Sequence, residues 1–292
     1  PPGYHRRVAL YLVDGTFELF RCFHGAPRGK DAEGNEIGAS RAVLWTLGKL
    51  LRRDDLTHVA FAMDRMTRPI KKDGSSDALL REQNGLVADV VRALGITLWP
   101  MSRHQADDAL ATGAARWRDS VERVVICTRD KDLLQSVRAD RVVLLDRTKQ
   151  TITDEPAVRA RFGIAPGQIP DYHALVGDPS DALAGLPGWG PKAAAAALQR
   201  WPGVTDIPTD FAAWDGLAIR GAKRLHAVLV ERRLELLLAR NLSVRRTDVP
   251  LPHTLEDLRW RGPAATLPAL AARLGAEDAV TRLPPARPVA GM

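Results

Sequence analysis

The 292-residue chain has only two cysteines, Cys22 and Cys127, too few for a disulfide framework. Cys127 lies in the apolar run "VVICT", where a free thiol behaves as a small buried hydrophobe. This usage points to a reducing compartment, and a cytoplasmic protein is expected. Long hydrophobic runs are also missing: no apolar stretch reaches the roughly 18 residues of a membrane-span candidate. The first ten residues, "PPGYHRRVAL", lack the apolar core and cleavage site of a secretory signal. A chain of this length can bury a large core without disulfides or structural metals.

The cations outnumber the anions, 42 Lys+Arg against 35 Asp+Glu, for a net charge of +7 and a pI near 9.8. That balance is compatible with a polyanionic partner such as nucleic acid. Arginine greatly outnumbers lysine, a bias that genomic base composition also produces. Placement says more than number. "RMTRPIKK", "RGAKR" and "VRR" are basic clusters in or near loops, where long side chains reach phosphates or simply meet solvent.

Five short β-branched or apolar runs, "VALYLVDG", "HVAFAMDR", "ITLWP", "RVVICTRD" and "RVVLLD", alternate with segments of helical period, the pattern of a parallel α/β sheet. "GASRAVLWTLGKLLRR" and the repeat of Leu79, Leu80, Leu86, Val87, Val90, Val91 and Leu94 predict amphipathic helices between the first three strands, with Gly95 as a stop. From about Pro170 the chain becomes rich in Gly, Pro and Ala and then helical. "KRLHAVLVERRLELLLARNL" is expected to form one helix whose apolar residues require a cover. The boundaries expected are an α/β core over 1–169, a helical subdomain over 170–250 and a C-terminal segment over 251–292 with a disordered end.

Three predicted strands finish in an aspartate, at Asp14, Asp64 and Asp130. In an open parallel sheet, sites form beyond the carboxyl ends of the strands, so these side chains are expected at one edge. "HQADD" follows the third strand and brings Asp107 and Asp108 to the same edge. There they either cap a helix, which two acids in a first turn do well, or serve chemistry. Asp132 lies two residues after Asp130, and "GDPSD" supplies Asp178 and Asp181 at a spacing of three. Singly, each of these is a common cap or turn residue. Gathered, they repel one another and call for hard cations with oxygen ligands. The scarcity of nearby His and Cys favours Mg²⁺ or Mn²⁺ over zinc. His104 reads as a surface or capping residue. Two such ions activate a water and steady the leaving oxygen of a phosphodiester.

These residues resemble a known family, the bacterial and phage 5′-3′ exonucleases or flap endonucleases, including the 5′-nuclease domain of DNA polymerase I. "ICTRDKDLLQ" is similar to its T-x-D-K-D-L-x-Q segment, and "ALVGDPSDALAGLPGWGPKAA" to its long G-D-x-S-D-N-x-P-G signature. The resemblance runs from "LVDG" to about "LSVRRTDVPL". It implies an α/β fold with a PIN-like parallel-sheet nuclease core and a helical C-terminal subdomain holding a helix-three-turn-helix DNA-binding element. It further implies two divalent ions on Asp14, Asp64, Gln105, Asp107, Asp108, Asp130, Asp132, Asp178 and Asp181, with cleavage of DNA at 5′ flaps, nicks and 5′ ends in replication or repair. Gly185, Gly188, Gly190 and Lys192 match the element that grips the duplex, where the family also holds K⁺. Arg21, Arg68, Lys71 and Lys72 are candidates for phosphate contacts.

Two departures stand out. Gln105 replaces the glutamate of the family's E-A-D-D, so one metal position has lost its charge. Between Asp64 and the next helix, "RMTRPIKKDGSS" is shorter than the family's arch and lacks its aromatic residues, which argues for a more open site. Arg65, Arg68, Lys71 and Lys72 remain there to offset phosphate charge. With no polymerase-length extension, a free-standing monomer is expected. A branched-DNA-binding protein with impaired cleavage is the alternative; an RNA-cutting relative would share the acids but not "GLPGWGPK".

Overall fold

The structure is a computed structural model that describes residues 8–66, 76–179 and 183–285. By contact the chain divides into two units, the first drawn from 1–129, 145–148 and 246–292 and the second from 130–144 and 149–245.

The first unit starts with β1 (Ala9–Asp14), α1 (Gly15–Gly25), α2 (Gly38–Leu51) and β2 (Leu56–Asp64), followed by α3 (Ser76–Ala93), β3 (Thr97–Met101), α4 (Ala106–Trp117) and β4 (Arg123–Cys127). Strand β1 runs parallel to β2 on one side and to β4 on the other, and β2 runs parallel to β3. With β5 (Val142–Asp146) and β6 (Thr151–Thr153) the order of the large sheet is β3-β2-β1-β4-β5-β6. The five predicted strands are present, and β6 is an addition that the polar "TIT" did not announce.

Continuous apolar runs fit strands covered on both faces, and Leu10, Tyr11, Leu12, Val13 and Phe61 are wholly buried. Helix α4 packs on β1 to β4, while α1, α2 and α3 pack on one another. The register sets Asp14 beside Ala62, so β2 extends two residues further to Asp64. Gly15 permits the turn from β1 into α1, because a Cβ there would lie 2.1 Å from the Phe61 ring. Gly95, at φ +71°, ends α3 as expected and lets the Gly262 carbonyl approach.

Residues 251–285 do not trail away from this unit. Trp260 is fully buried, its indole donates to the Leu94 carbonyl at 2.8 Å and its amide donates to Thr57 at 3.0 Å. Helices α10 (Leu267–Arg273) and α11 (Glu277–Thr281) then pack near α3 and α2.

The second unit holds α5 (Glu155–Phe162), α6 (Ile169–Val176), the two-stranded hairpin β7 (Gly177–Asp178) and β8 (Leu183–Ala184), and α7 (Pro191–Arg200). The expected single long helix is instead two, α8 (Ala222–Glu231) and α9 (Arg233–Ser243), broken at Arg232 where φ is −104° and ψ is 26°. Its periodicity runs through the break without revealing it. Leu225, Leu229 and Leu236 are buried, whereas Leu234, Leu238 and Leu242 are 78, 64 and 74% exposed.

Candidate functional site

In the first unit, Asp14 leaves the end of β1 and caps α1. Its Oδ1 accepts from the Phe17 amide at 2.9 Å, its Oδ2 accepts from the Thr128 hydroxyl at 2.7 Å, and the residue is buried. Asp64, at the end of β2, accepts from the Thr16 hydroxyl at 2.9 Å and from the Ala106 amide at 2.8 Å. The second bond satisfies an open donor at the start of α4 from a neighbouring strand.

Helix α4 carries the paired acids in its first turn, with Gln105 as N-cap. Asp108 Oδ2 accepts from the Gln105 amide at 3.4 Å and Oδ1 from the Arg246 amide at 2.9 Å. The capping reading of "HQADD" is borne out at Asp108. Asp108 closes the helix end, and Asp14, Asp64, Asp107 and Asp108 belong to elements that finish or begin at the carboxyl edge of parallel strands. Amides and hydroxyls donate to Asp14 and Asp64, and such neutral donors do not cancel a carboxylate charge.

In the second unit, Asp130 Oδ1 accepts from the Asp132 amide at 2.8 Å. Asp132 is buried, with His173 Nδ1 at 3.1 Å from Oδ1 and the Arg245 guanidinium donating to Oδ2. Burial alone would raise the Asp132 pKa, but the His173 hydrogen bond and the Arg245 charge outweigh it and hold the carboxyl below its usual range. Asp178, also buried, receives Lys131 Nζ at 3.1 and 3.3 Å, and His173 Nε2 stands 3.8 Å from its Oδ2. His173 thus lies between two acids.

The repulsion expected of crowded carboxylates is met in each unit by protein donors. Among the described residues, no group of three or more His, Cys, Asp and Glu side chains has the arrangement of a preformed ion cage. Asp181, Arg68, Lys71 and Lys72 lie outside the described residues.

Several residues the motifs did not single out are central here. Thr16, Thr128 and Lys131 are sequence neighbours of the acids and were legible as such. His173 and Arg245 were not, since their partners are 41 and 113 positions away. The "VRR" cluster in particular is not a free cationic loop: Arg245 is spent on Asp132, and Arg246 pairs with Asp248 at 2.8 Å.

The glycine-rich turn is also resolved by position. A Cβ on Gly185 would sit 2.2 Å from the Val176 carbonyl carbon, so this glycine serves the chain's own β7–β8 hairpin. Gly188 has φ +82°, and a Cβ on Gly190 meets nothing within 4 Å. Gly190, Pro191 and Lys192 border an open cavity of about 600 Å³ that Ala218, Ile219 and Arg220 also line. Open backbone and Lys192 at the start of α7, with Arg220 on the same cavity, suit an anionic partner.

A parallel sheet with acids at its carboxyl edge, followed by a helical unit with a glycine-rich turn before a basic helix start, defines a nuclease class. The chain belongs to the 5′-3′ exonuclease family. Residues 9–163 match the model of the 5′-3′ exonuclease N-terminal resolvase-like domain, and residues 164–266 that of its C-terminal SAM fold. DNA polymerase I of Bacillus caldotenax is 31% identical over 267 residues, covering 87% of this chain and 30% of that protein. The chain therefore spans under a third of the length of the polymerase relatives it matches. A 5′-3′ exonuclease of Aquifex aeolicus is 26% identical over 263 residues and covered over 87% of both chains. The T5 5′-exonuclease with bound zinc shares the fold at a TM-score of 0.63 and 15% identity, over 94% of this chain and 96% of that one. The catalytic core of Rad2 in complex with DNA substrate follows at 0.58 and 13%, over 95% and 92%.

Proposed function

We propose that this chain is a divalent-metal-dependent 5′-3′ exonuclease and flap endonuclease acting on 5′-ended or branched DNA in replication or repair. The observation that carries the reading is the placement of Asp14 and Asp64 at the ends of adjacent parallel strands, with Asp64 bonded to the start of the helix that carries Asp107 and Asp108. Asp14, Asp64, Asp107 and Asp108 of the first unit, and Asp130, Asp132, Asp178 and Asp181 of the second, are the residues assigned to hold two Mg²⁺ or Mn²⁺ ions, with Gln105 offering an amide oxygen. When bound, such ions supply an activated water and neutralise charge on the phosphodiester. Thr16 and Thr128 fix the carboxylate planes of Asp64 and Asp14 through their hydroxyls. Arg21, Arg68, Lys71 and Lys72 offset phosphate charge, and Gly188, Gly190 and Lys192 grip the duplex, with backbone carbonyls of the turn available to K⁺. A monomer suffices for this reading.

A second reading, a branched-DNA-binding protein that cuts poorly, is favoured by one observation: His173 and Arg245 already engage both oxygens of Asp132. One experiment separates the two. Labelled 5′-flap DNA is incubated with the protein in Mg²⁺, in Mn²⁺ and in EDTA, beside the variant Asp130→Asn. Metal-dependent product that the variant loses, with DNA retention kept, is expected. Retention without product favours the binder, and undiminished turnover by Asp130→Asn removes the site assignment.

A further inference from the structure

We infer that Glu18, braced by Arg147, is a positioning residue that holds the Arg21 guanidinium for a phosphate of the DNA substrate. The inference rests on the nuclease reading above. Glu18 lies one helical turn after Asp14 in α1, at a position where helix packing calls for an apolar side chain, and it is only 1% exposed. Its Oε2 accepts from Arg21 Nη2 at 2.5 Å, and Arg147 Nη1 stands 3.0 Å from its Oε1. Arg147 follows Asp146 at the end of β5, keeps 11% of its side chain exposed and also donates to the Thr46 carbonyl of α2.

One carboxylate shared by two guanidiniums leaves the trio with a net charge of one positive unit. Arg147 is turned inward, so that charge is presented by Arg21, which keeps 29% of its side chain in solvent. Arg21 Nε is buried and has no hydrogen-bond partner among the described residues, so these do not fully satisfy the guanidinium. Buried ion triads are poor stability devices, because apolar residues of the same volume serve folding as well or better. A triad that immobilises a partly exposed arginine two turns from Asp14 instead gains orientation. The side chain meets a phosphate already ordered, and binding loses less rotamer freedom.

The test is a double-substitution cycle with Glu18→Gln and Arg21→Ala, read by binding of a labelled 5′-flap oligonucleotide in EDTA over a series of salt concentrations and by kcat and KM in Mg²⁺. Glu18→Gln is expected to weaken binding and raise KM about tenfold, with a salt slope shallower by about one ion and kcat lowered less than about threefold. The double variant is expected to bind no worse than Arg21→Ala alone. A folded Glu18→Gln that binds like the parent, or losses that multiply in the double variant, overturns the inference. If Glu18→Gln does not fold by circular dichroism, Arg147→Gln enters the same cycle under the same criteria. Failure of the parent protein to bind or cut flap DNA at all overturns the nuclease reading and this inference with it, an outcome distinct from a parent that acts and a Glu18 variant that is silent.

Discussion

Gln105 is the N-cap of α4 and, in the function proposed above, an amide ligand at a metal position. As N-cap of α4 it stands where the open amides of the helix favour an acceptor, and it immediately precedes the residues that carry the acids. A glutamate here would interact well with the helix dipole, so Gln105→Glu is expected to fold as well as the parent. It also restores a negative charge beside Asp107 and Asp108. The concentration of Mg²⁺ or Mn²⁺ giving half-maximal cleavage of flap DNA should therefore fall several-fold. A metal titration in which the midpoint and the plateau rate are both unchanged would show that the amide is not part of a metal position. Asp108 illustrates the limit of residue-level reading. The sequence marks it as either a cap or a ligand, and its bonds to the Gln105 and Arg246 amides show a structural duty that does not exclude the other.

At the scale of elements, β2 couples the site to the acid sensitivity of the fold. His58 is buried in that strand, with Nδ1 2.9 Å from the Thr57 hydroxyl, and burial followed by the Arg259 charge pushes its pKa down to about 4. The unfolded chain takes up a proton near 6.5, the ordinary imidazole value, whereas the folded one does not until about 4. Stability is thus full above 6.5 and is lost as pH falls, by a total of about 3 kcal/mol once pH is below 4. Urea midpoints measured from pH 7.5 to 4.5 should drop for the parent, and less steeply for His58→Gln. Parallel curves for the two proteins would show that His58 is not the group responsible.

The same scale shows why some elements were legible and others were not. Strands β1 and β2 are largely apolar runs ending in an aspartate, a signal strong enough to place Asp14 and Asp64 at strand ends in advance, whereas β4 stops at Cys127, three residues before Asp130. The α8–α9 pair reads as one helix because its apolar period survives the break at Arg232. The non-helical backbone at Arg232, φ −104° and ψ 26°, is what divides them. His173 and Arg245 were out of reach for another reason: ion pairs across 41 and 113 positions leave no local pattern.

For the molecule as a whole, the 42 Lys+Arg overstate the cations left for a polyanion, because several are held by acids already counted in the net charge of +7. Arg147 faces the buried Glu18, Arg245 faces Asp132, Arg240 faces Asp171 and Arg273 faces Asp31. The chain also returns on itself. After the helical unit, residues 246–285 rejoin the first unit, where Arg116 donates to the Leu251 carbonyl at 2.9 Å and Thr97 donates to the Asp257 carbonyl at 2.8 Å. Trp260 anchors that return, fully buried and bonded through both its amide and its indole. Removing so large a side chain leaves a cavity and an unsatisfied Leu94 carbonyl, so Trp260→Ala should cost about 3–5 kcal/mol. Trp260→Phe keeps much of the volume but loses the indole donor, and a smaller cost, about 1–3 kcal/mol, is expected. Equilibrium urea unfolding measures both. If Trp260→Ala lies within about 0.5 kcal/mol of the parent, a value ordinary for exposed positions, the returning segment contributes nothing to the stability of the first unit.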